Sequence, residues 1–154
     1  MDITIRTANR TDVPAIVALL AEDRLGRRRE TPSELEPYLA AFADMAAQGG
    51  NIALVAERDI PTGTDVVGCL QLTILPGLSR RGAKRGQIEG VRVSGTCRGL
   101  GIGERLIRRA IETAHNAGCS LVQLTSDNSR PDAHRFYARL GFIASHAGFK
   151  LALD

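Results

Sequence analysis

The sequence contains no tryptophan, and only 4% of its residues are aromatic. Binders of single-stranded nucleic acid stack bases on exposed rings, so that class lacks its usual means here. The three cysteines, Cys69, Cys97 and Cys119, are widely spaced and odd in number. They offer neither a disulfide framework nor a zinc pattern. No apolar run approaches the roughly 20 residues of a membrane span. The opening Met1-Asp2-Ile3-Thr4-Ile5-Arg6 does not have the form of a signal peptide. No repeat, low-complexity tract or linker divides the chain. Charge of one sign is scarce too: the formal net charge is +3 over 154 residues, which suits an anionic small ligand at least as well as a nucleic acid. The expectation is one domain over residues 1–154, cytoplasmic, with no membrane partner.

A core is affordable, because 44% of the residues are hydrophobic and 24% charged. Residues 3–6 alternate as a half-buried strand does. Thr11 and Asp12 are placed to cap a helix carrying Val13, Ile16, Val17, Leu19 and Leu20. Residues 24–30 read as a charged connecting loop. Pro37 predicts a short turn at 31–34 and a main helix over 37–48, with Leu39, Phe42, Met45 and Ala46 on one face. Residues 52–57 and 66–75 read as a hairpin, and 87–94 as a further strand. Leu106, Ile107, Ala110, Ile111 and Ala114 share one face of a long helix. A strand over 121–126 follows. Ser129 and Asp132 are placed to cap the next helix, whose inner face is Ala133, Phe136, Tyr137 and Leu140. A last strand over 142–153 closes the order β-α-α-β-β-β-α-β-α-β. That is an α/β (α+β) fold, a mixed and mostly antiparallel sheet flanked by helices.

The informative stretch runs Val91-Arg92-Val93-Ser94-Gly95-Thr96-Cys97-Arg98-Gly99-Leu100-Gly101-Ile102-Gly103-Glu104, from strand through glycines into helix. Glycine permits positive φ and close approach to the backbone. Free amides at a helix start, aided by the helix dipole, bind anions, and a pyrophosphate suits them. Arg98 adds positive charge at the entrance. A nucleotide P-loop would need Lys after its last glycine, where Glu104 stands. The dinucleotide fingerprint has a different glycine spacing and belongs among β-α-β units.

Arg98-Gly99-Leu100-Gly101-Ile102-Gly103 resembles the Arg/Gln-x-x-Gly-x-Gly/Ala motif of the GNAT superfamily of N-acyltransferases. Ala133-His134-Arg135-Phe136-Tyr137-Ala138-Arg139-Leu140-Gly141-Phe142 resembles that family's late Ala-x-x-Phe-Tyr-x-x-x-Gly-Phe motif. Order and separation fit as well. The resemblance implies acetyl-CoA as acyl donor, no metal, a primary amine of a small molecule or protein as acceptor, and a homodimer. It implies that Val91, Arg92 and Val93 bond the pantetheine arm through their backbone. The amides from Arg98 to Glu104, through Gly99, Leu100, Gly101, Ile102 and Gly103, would hold the pyrophosphate. The sheet would splay between that strand and 121–126, and Gly90 is a candidate bulge. Where the family often carries Asn, three residues before the late motif, this chain has Arg130. Asn128, Arg130, His134 and Phe136 are therefore the candidate late contacts to the cofactor.

Amine acetylation poses two proton problems. An ammonium with a pKa near ~10.4 must lose a proton, and a thiolate with a reference near ~8.5 must gain one. Glu89, just before the cofactor strand segment, is the candidate base; its alternative is a strand-end charge or ion pair. Tyr137, in the tyrosine slot of the late motif, is the candidate acid; its alternative is packing beside Phe136. Direct attack with proton loss to water needs neither. Cys97 lacks a base partner for acyl-cysteine chemistry. His115, His134 and His146 share no metal-ligand spacing. Two other functions stay open: an acyl-CoA sensor without turnover, and a nucleic-acid binder using the basic residues of 27–29 and 80–85.

Overall fold

The computed structural model describes residues 1–154. The chain forms two compact units, Met1–Gln123 and Leu124–Asp154. Its strands are β1 (Ile3–Thr7), β2 (Asn51–Ile60), β3 (Gly63–Leu75), β4 (Lys84–Val93) and β5 (Cys119–Leu124). Its helices are α1 (Val13–Ala21), α2 (Arg24–Arg29), α3 (Glu36–Gln48), the single turn α4 (Ser79–Gly82), α5 (Ile102–Asn116) and α6 (Pro131–Arg139).

The strands make one sheet in the order β1-β2-β3-β4-β5. The first four are antiparallel neighbours. Ser120 bonds the Lys84 carbonyl and Gln123 bonds Gln87. The partners advance together along both strands, so β5 runs parallel to β4 and the sheet is mixed, as expected. Helices cover both faces. Cys69 packs with Leu19 of α1, whereas a Cβ on neighbouring Gly68 would lie 3.0 Å from Leu106 and 3.3 Å from Ile102 of α5. Successive strand residues face opposite sides, so α1 and α5 sandwich β3. The absent side chain at Gly68 lets the start of α5 press against the sheet. Ile102, Leu106, Ile107, Ala110 and Ala114 are buried there.

Several local expectations are corrected. Asp12 is the cap residue of α1, as expected, though without a side-chain capping bond to it; Thr11 instead lies in a 3-10 turn, Arg10–Asp12, capped by Asn9, whose Oδ1 accepts from the Thr11 amide at 2.9 Å while the Asp12 carboxylate accepts from the Asn9 amide at 2.8 Å. Residues 24–29 are helical rather than a loop, because Asp23 caps them by accepting from the Gly26 amide at 2.7 Å. The third helix starts at Glu36, which leaves Pro37 in the first turn, where no amide is needed. The hairpin is longer than burial suggests. Its outer rungs pair Arg58 with Asp65 directly across the ladder, 2.7 Å apart. No helix is long and apolar enough to cross a membrane.

In the second unit, α6 begins at Pro131 with Arg130 as its cap and no side-chain capping bond. The expected caps act elsewhere: Ser129 bonds Asp127, and Asp132 pairs with Arg135. The helix closes through Gly141, at φ 95°, with the Phe142 amide bonded to the Tyr137 carbonyl at 3.1 Å. The expected strand over 142–153 is not formed. Residues 143–154 are exposed, and no backbone hydrogen bond engages 146–154. Alternation supplies a strand's two faces, but a strand exists only where a neighbour completes its ladder.

Candidate active site

The site begins with a bulge in β4. Cys69 pairs with Arg92 and Gln71 with Glu89, so β4 carries one more residue than β3 between those rungs. Gly90 supplies it, at φ 61°. A side chain there would be strained, and its Cβ would also reach 3.4 Å from Leu20. Beyond the bulge the ladder is interrupted, and backbone groups of this stretch are released from regular pairing. Val91, Arg92 and Val93 follow it, half-buried. Glu89 stands one residue before it, exposed. The Cys69 thiol lies 3.6 Å from the Gly90 carbonyl. Burial pushes that thiol up to about 12, so it stays protonated and serves as packing, not as a nucleophile.

The segment after β4 turns at Gly95–Cys97, a 3-10 turn closed by the Cys97 amide on the Ser94 carbonyl. Cys97 is fully buried, which removes it from acyl chemistry. Arg98, Gly99 and Leu100 are exposed. Gly101 caps α5 in the left-handed conformation, φ 74°, and no side chain satisfies the first amides of the helix. Nothing lies within 4 Å of where a Cβ on Gly99 or Gly101 would be. The result is an open cradle of N–H groups at the positive end of a helix of 15 residues. Ile102 points its side chain into the core, so only its amide can serve a ligand. Glu104 pairs with Arg108 at 2.6 Å, which offsets its negative charge beside the cradle. An open helix start of this kind fits an anionic, diphosphate-bearing acyl carrier.

Two residues that sequence reading missed hold this segment in place. The Glu22 carboxylate, at the end of α1, accepts from the Gly95 amide at 3.0 Å. Asp23 pairs with Arg92 at 3.6 Å, while Arg92 also donates to the Val91 carbonyl at 2.8 Å. The α1–α2 junction is thus tied to both the end of β4 and the turn after it. Asp23 had a detectable signal, an N-cap residue ahead of a helix former. Glu22 had none, since its partner lies 73 residues away.

The remaining candidates belong to the second unit. Asn128 is exposed in the turn before α6. The Arg130 amide donates to the Asp127 carbonyl at 3.0 Å, and a ring nitrogen of His134 lies 3.0 Å from that same oxygen. Phe136 and Tyr137 are half-buried and edge-on, centroids 5.2 Å apart, and Tyr137 meets Phe142 in the same manner at 5.8 Å. This aromatic cluster fixes the direction of the Tyr137 ring.

Comparison with known proteins defines the class. The model of the acetyltransferase (GNAT) family matches residues 14–142. This chain belongs to that family, and the N-acetyltransferase class expected from its motifs is the one it falls in. It is 34% identical over 154 residues to the glucosamine 6-phosphate N-acetyltransferase of Trypanosoma brucei brucei, covering 99% of this chain and 97% of that one. It is 36% identical over 107 residues to a probable glucosamine 6-phosphate N-acetyltransferase 2 of rice, covering 69% of this chain and 63% of the rice protein. A match to the aminoalkylphosphonate N-acetyltransferase of Salmonella typhimurium is 43% identical over 68 residues, 44% of each chain. Among solved structures, one described as a transcriptional regulator from Bacillus halodurans superposes with a TM-score of 0.92 at 43% identity, covering 99% of this chain and 100% of that one.

Proposed function

We propose that the chain moves an acetyl group from acetyl-CoA to the primary amine of a small phosphate- or phosphonate-bearing molecule, by direct attack with both substrates bound. The observation that carries this reading is the bulged β4 running into an uncapped, glycine-opened start of α5. Acetyl-CoA supplies the activated thioester. The amides of Ile102, Gly103 and Glu104 bind its diphosphate, with Arg98 adjoining, and Val91, Arg92 and Val93 orient its arm. Asn128, Arg130, His134 and Phe136 are assigned to the same ligand from the second unit. Residues 1–154 act together as one acetyltransferase.

Glu89 takes the proton that the ammonium must lose, directly or through water, which its exposure admits. The amine nitrogen then bonds to the acetyl carbon as the carbon–sulfur bond breaks. Backbone N–H groups near Val91 receive the charge that develops on the carbonyl oxygen. Tyr137 supplies the proton that the departing sulfur needs. The names of the relatives support an acidic acceptor, and so does α2. Arg24, Arg27 and Arg28 are exposed on it, and Asp23 ties its first turn to β4.

The test is an amine panel with acetyl-CoA, followed by free-thiol release. Aminosugar phosphates and aminoalkylphosphonates should turn over, and their unphosphorylated counterparts should not. Arg28→Ala should raise KM for the acidic amines about 10-fold while leaving coenzyme A affinity unchanged. Glu89→Gln and Tyr137→Phe should each lower kcat by about 100-fold or more, with coenzyme A affinity kept. Wild-type rates in both variants across the pH range would remove the two proton roles.

The name of the Bacillus halodurans structure supports a second reading, an acyl-CoA-responsive regulator. Tight coenzyme A binding with no thiol release across the whole panel would favour it. Salt-sensitive DNA binding through the basic residues of 27–29 and 80–85 would extend it to a nucleic-acid partner.

A further inference from the structure

The sheet of the first unit has two unlike faces. Leu70, Leu72 and Ile88 lie buried on the side that α5 covers. On the other side Cys69 packs under α1, but from Gln71 onward that face turns polar. Gln71 stands directly opposite Glu89 on the ladder, and Gln87 stands opposite Thr73. Gln71, Gln87 and Gln123 are half-buried. Amide side chains drawn out of water are costly unless they are hydrogen-bonded, and these are bonded in an ordered chain.

An arginine sets the direction of that chain. Arg85 carries N–H groups only, so it meets the oxygen of Gln123, at 3.3 Å. The Gln123 nitrogen then donates to the Gln87 oxygen at 2.8 Å, which leaves both Gln87 N–H groups unspent within this unit. Across the ladder, Asn51 donates to Gln48 at 2.9 Å and turns its oxygen to Gln71, whose nitrogen donates to it at 3.0 Å. The Gln71 oxygen is left over. A donor and an acceptor therefore remain beside Glu89, on side chains that are diagonal neighbours. A hydroxyl, with one proton and two lone pairs, uses both. Gln87 and Glu89 are rooted about 7 Å apart on one face of β4, so they converge on adjoining groups of one small molecule. We propose that Gln71 and Gln87 recognise a hydroxyl next to the amine of the acceptor. This rests on the transfer reading above and narrows it to a hydroxylated amine of aminosugar type, because a bare alkyl chain laid on this face would strand both amides. Gln123 and Arg85 are positioning residues that act through Gln87.

The test compares glucosamine 6-phosphate with two analogues, each carrying hydrogen in place of one hydroxyl that flanks the amine. The full chain should prefer the parent over one of these analogues by at least about 10-fold in kcat/KM. Gln87→Leu keeps the bulk and removes the donor, and should narrow that ratio to about 2-fold or less. Coenzyme A binding reports that the variant is folded, and Gln87→Met serves if it is not. Gln123→Glu should narrow the ratio as well, although Gln87 is intact. A carboxylate only accepts, so Gln87 must turn its nitrogen inward, and two acceptors then face one hydroxyl proton. Three results would each overturn the inference: no preference for the parent over either analogue, a preference that survives Gln87→Leu, or faster turnover of aminoalkylphosphonates than of the aminosugar phosphate. No turnover of any amine would instead remove the transfer reading, and this inference with it.

Discussion

Two stretches of this chain carry equally plain sequence patterns and meet different fates. The run from β4 into α5 is anchored at every step. Gly90 makes the bulge, Gly101 makes the cap, and Leu106 and Ile107 drive the helix into the sheet with no exposed surface. The tail over 143–154 forms no strand, although 149–153 alternate as β1 does. The first stretch carries its own partners within about 40 residues, because β3 supplies both the bulge's opposite rung and the surface under α5. The second has an alternating pattern and no strand. A pattern of faces becomes structure only when something is there to cover the apolar one.

The largest way to break the anchored stretch is to empty its core. Leu106→Ala, at a side chain with 0% exposure, should cost about 2–5 kcal/mol, read from the urea midpoint. Coenzyme A binding should weaken in proportion as α5 loosens from Gly68. Next in size is a charge in the cradle. Gly101→Asp adds a side chain at φ 74° and a carboxylate where a diphosphate is proposed to sit. At roughly 5 Å and an effective dielectric near 20, one such repulsion is about 3 kcal/mol, or on the order of 100-fold in coenzyme A affinity. Calorimetry giving wild-type affinity would remove the diphosphate from this helix start.

A smaller effect comes from the network that seats α1. Asp12 is buried and accepts from Arg6 at 2.8 and 2.9 Å, while Arg6 also holds Glu57 at 2.5 Å. The Arg6 guanidinium keeps the Asp12 carboxyl below its ordinary value of 3.8. Folding therefore favours the charged form. The stability it contributes is fully present above the unfolded value and is lost as pH falls through the lower, folded one. Asp12→Asn should destabilise by roughly 2 kcal/mol at pH 7, and the gap from wild type should narrow below about pH 4. A gap that stays constant from pH 7 to pH 2 would show that the charge of Asp12 contributes nothing.

The same contrast explains what the sequence made legible. Glycines at positive φ act locally, so the turn through Gly99 and Gly101 and the bulge at Gly90 could be read residue by residue. Most of the buried stripe of α5 was legible for the same reason, since 3.6-residue spacing is a property of one helix; Ile111, expected on that face, is instead 37% exposed, and Ile102 in the first turn is buried in addition. Contacts across long separations were not. Glu22 reaches Gly95, and nothing near either residue announces it. Arginine-rich α2 read as a loop because its charges masked the Asp23 cap, and Gly26 is the only residue it buries. The outer hairpin rungs were missed because Arg58 and Asp65 pair across strands without being buried.

The smallest predicted effect is the most direct comparison of the two stretches. Leu151→Ala removes the same atoms as Leu106→Ala, from a side chain that is 86% exposed. It should change unfolding free energy by less than about 0.5 kcal/mol. A cost near that of Leu106→Ala would mean that the Leu151 side chain is packed rather than exposed.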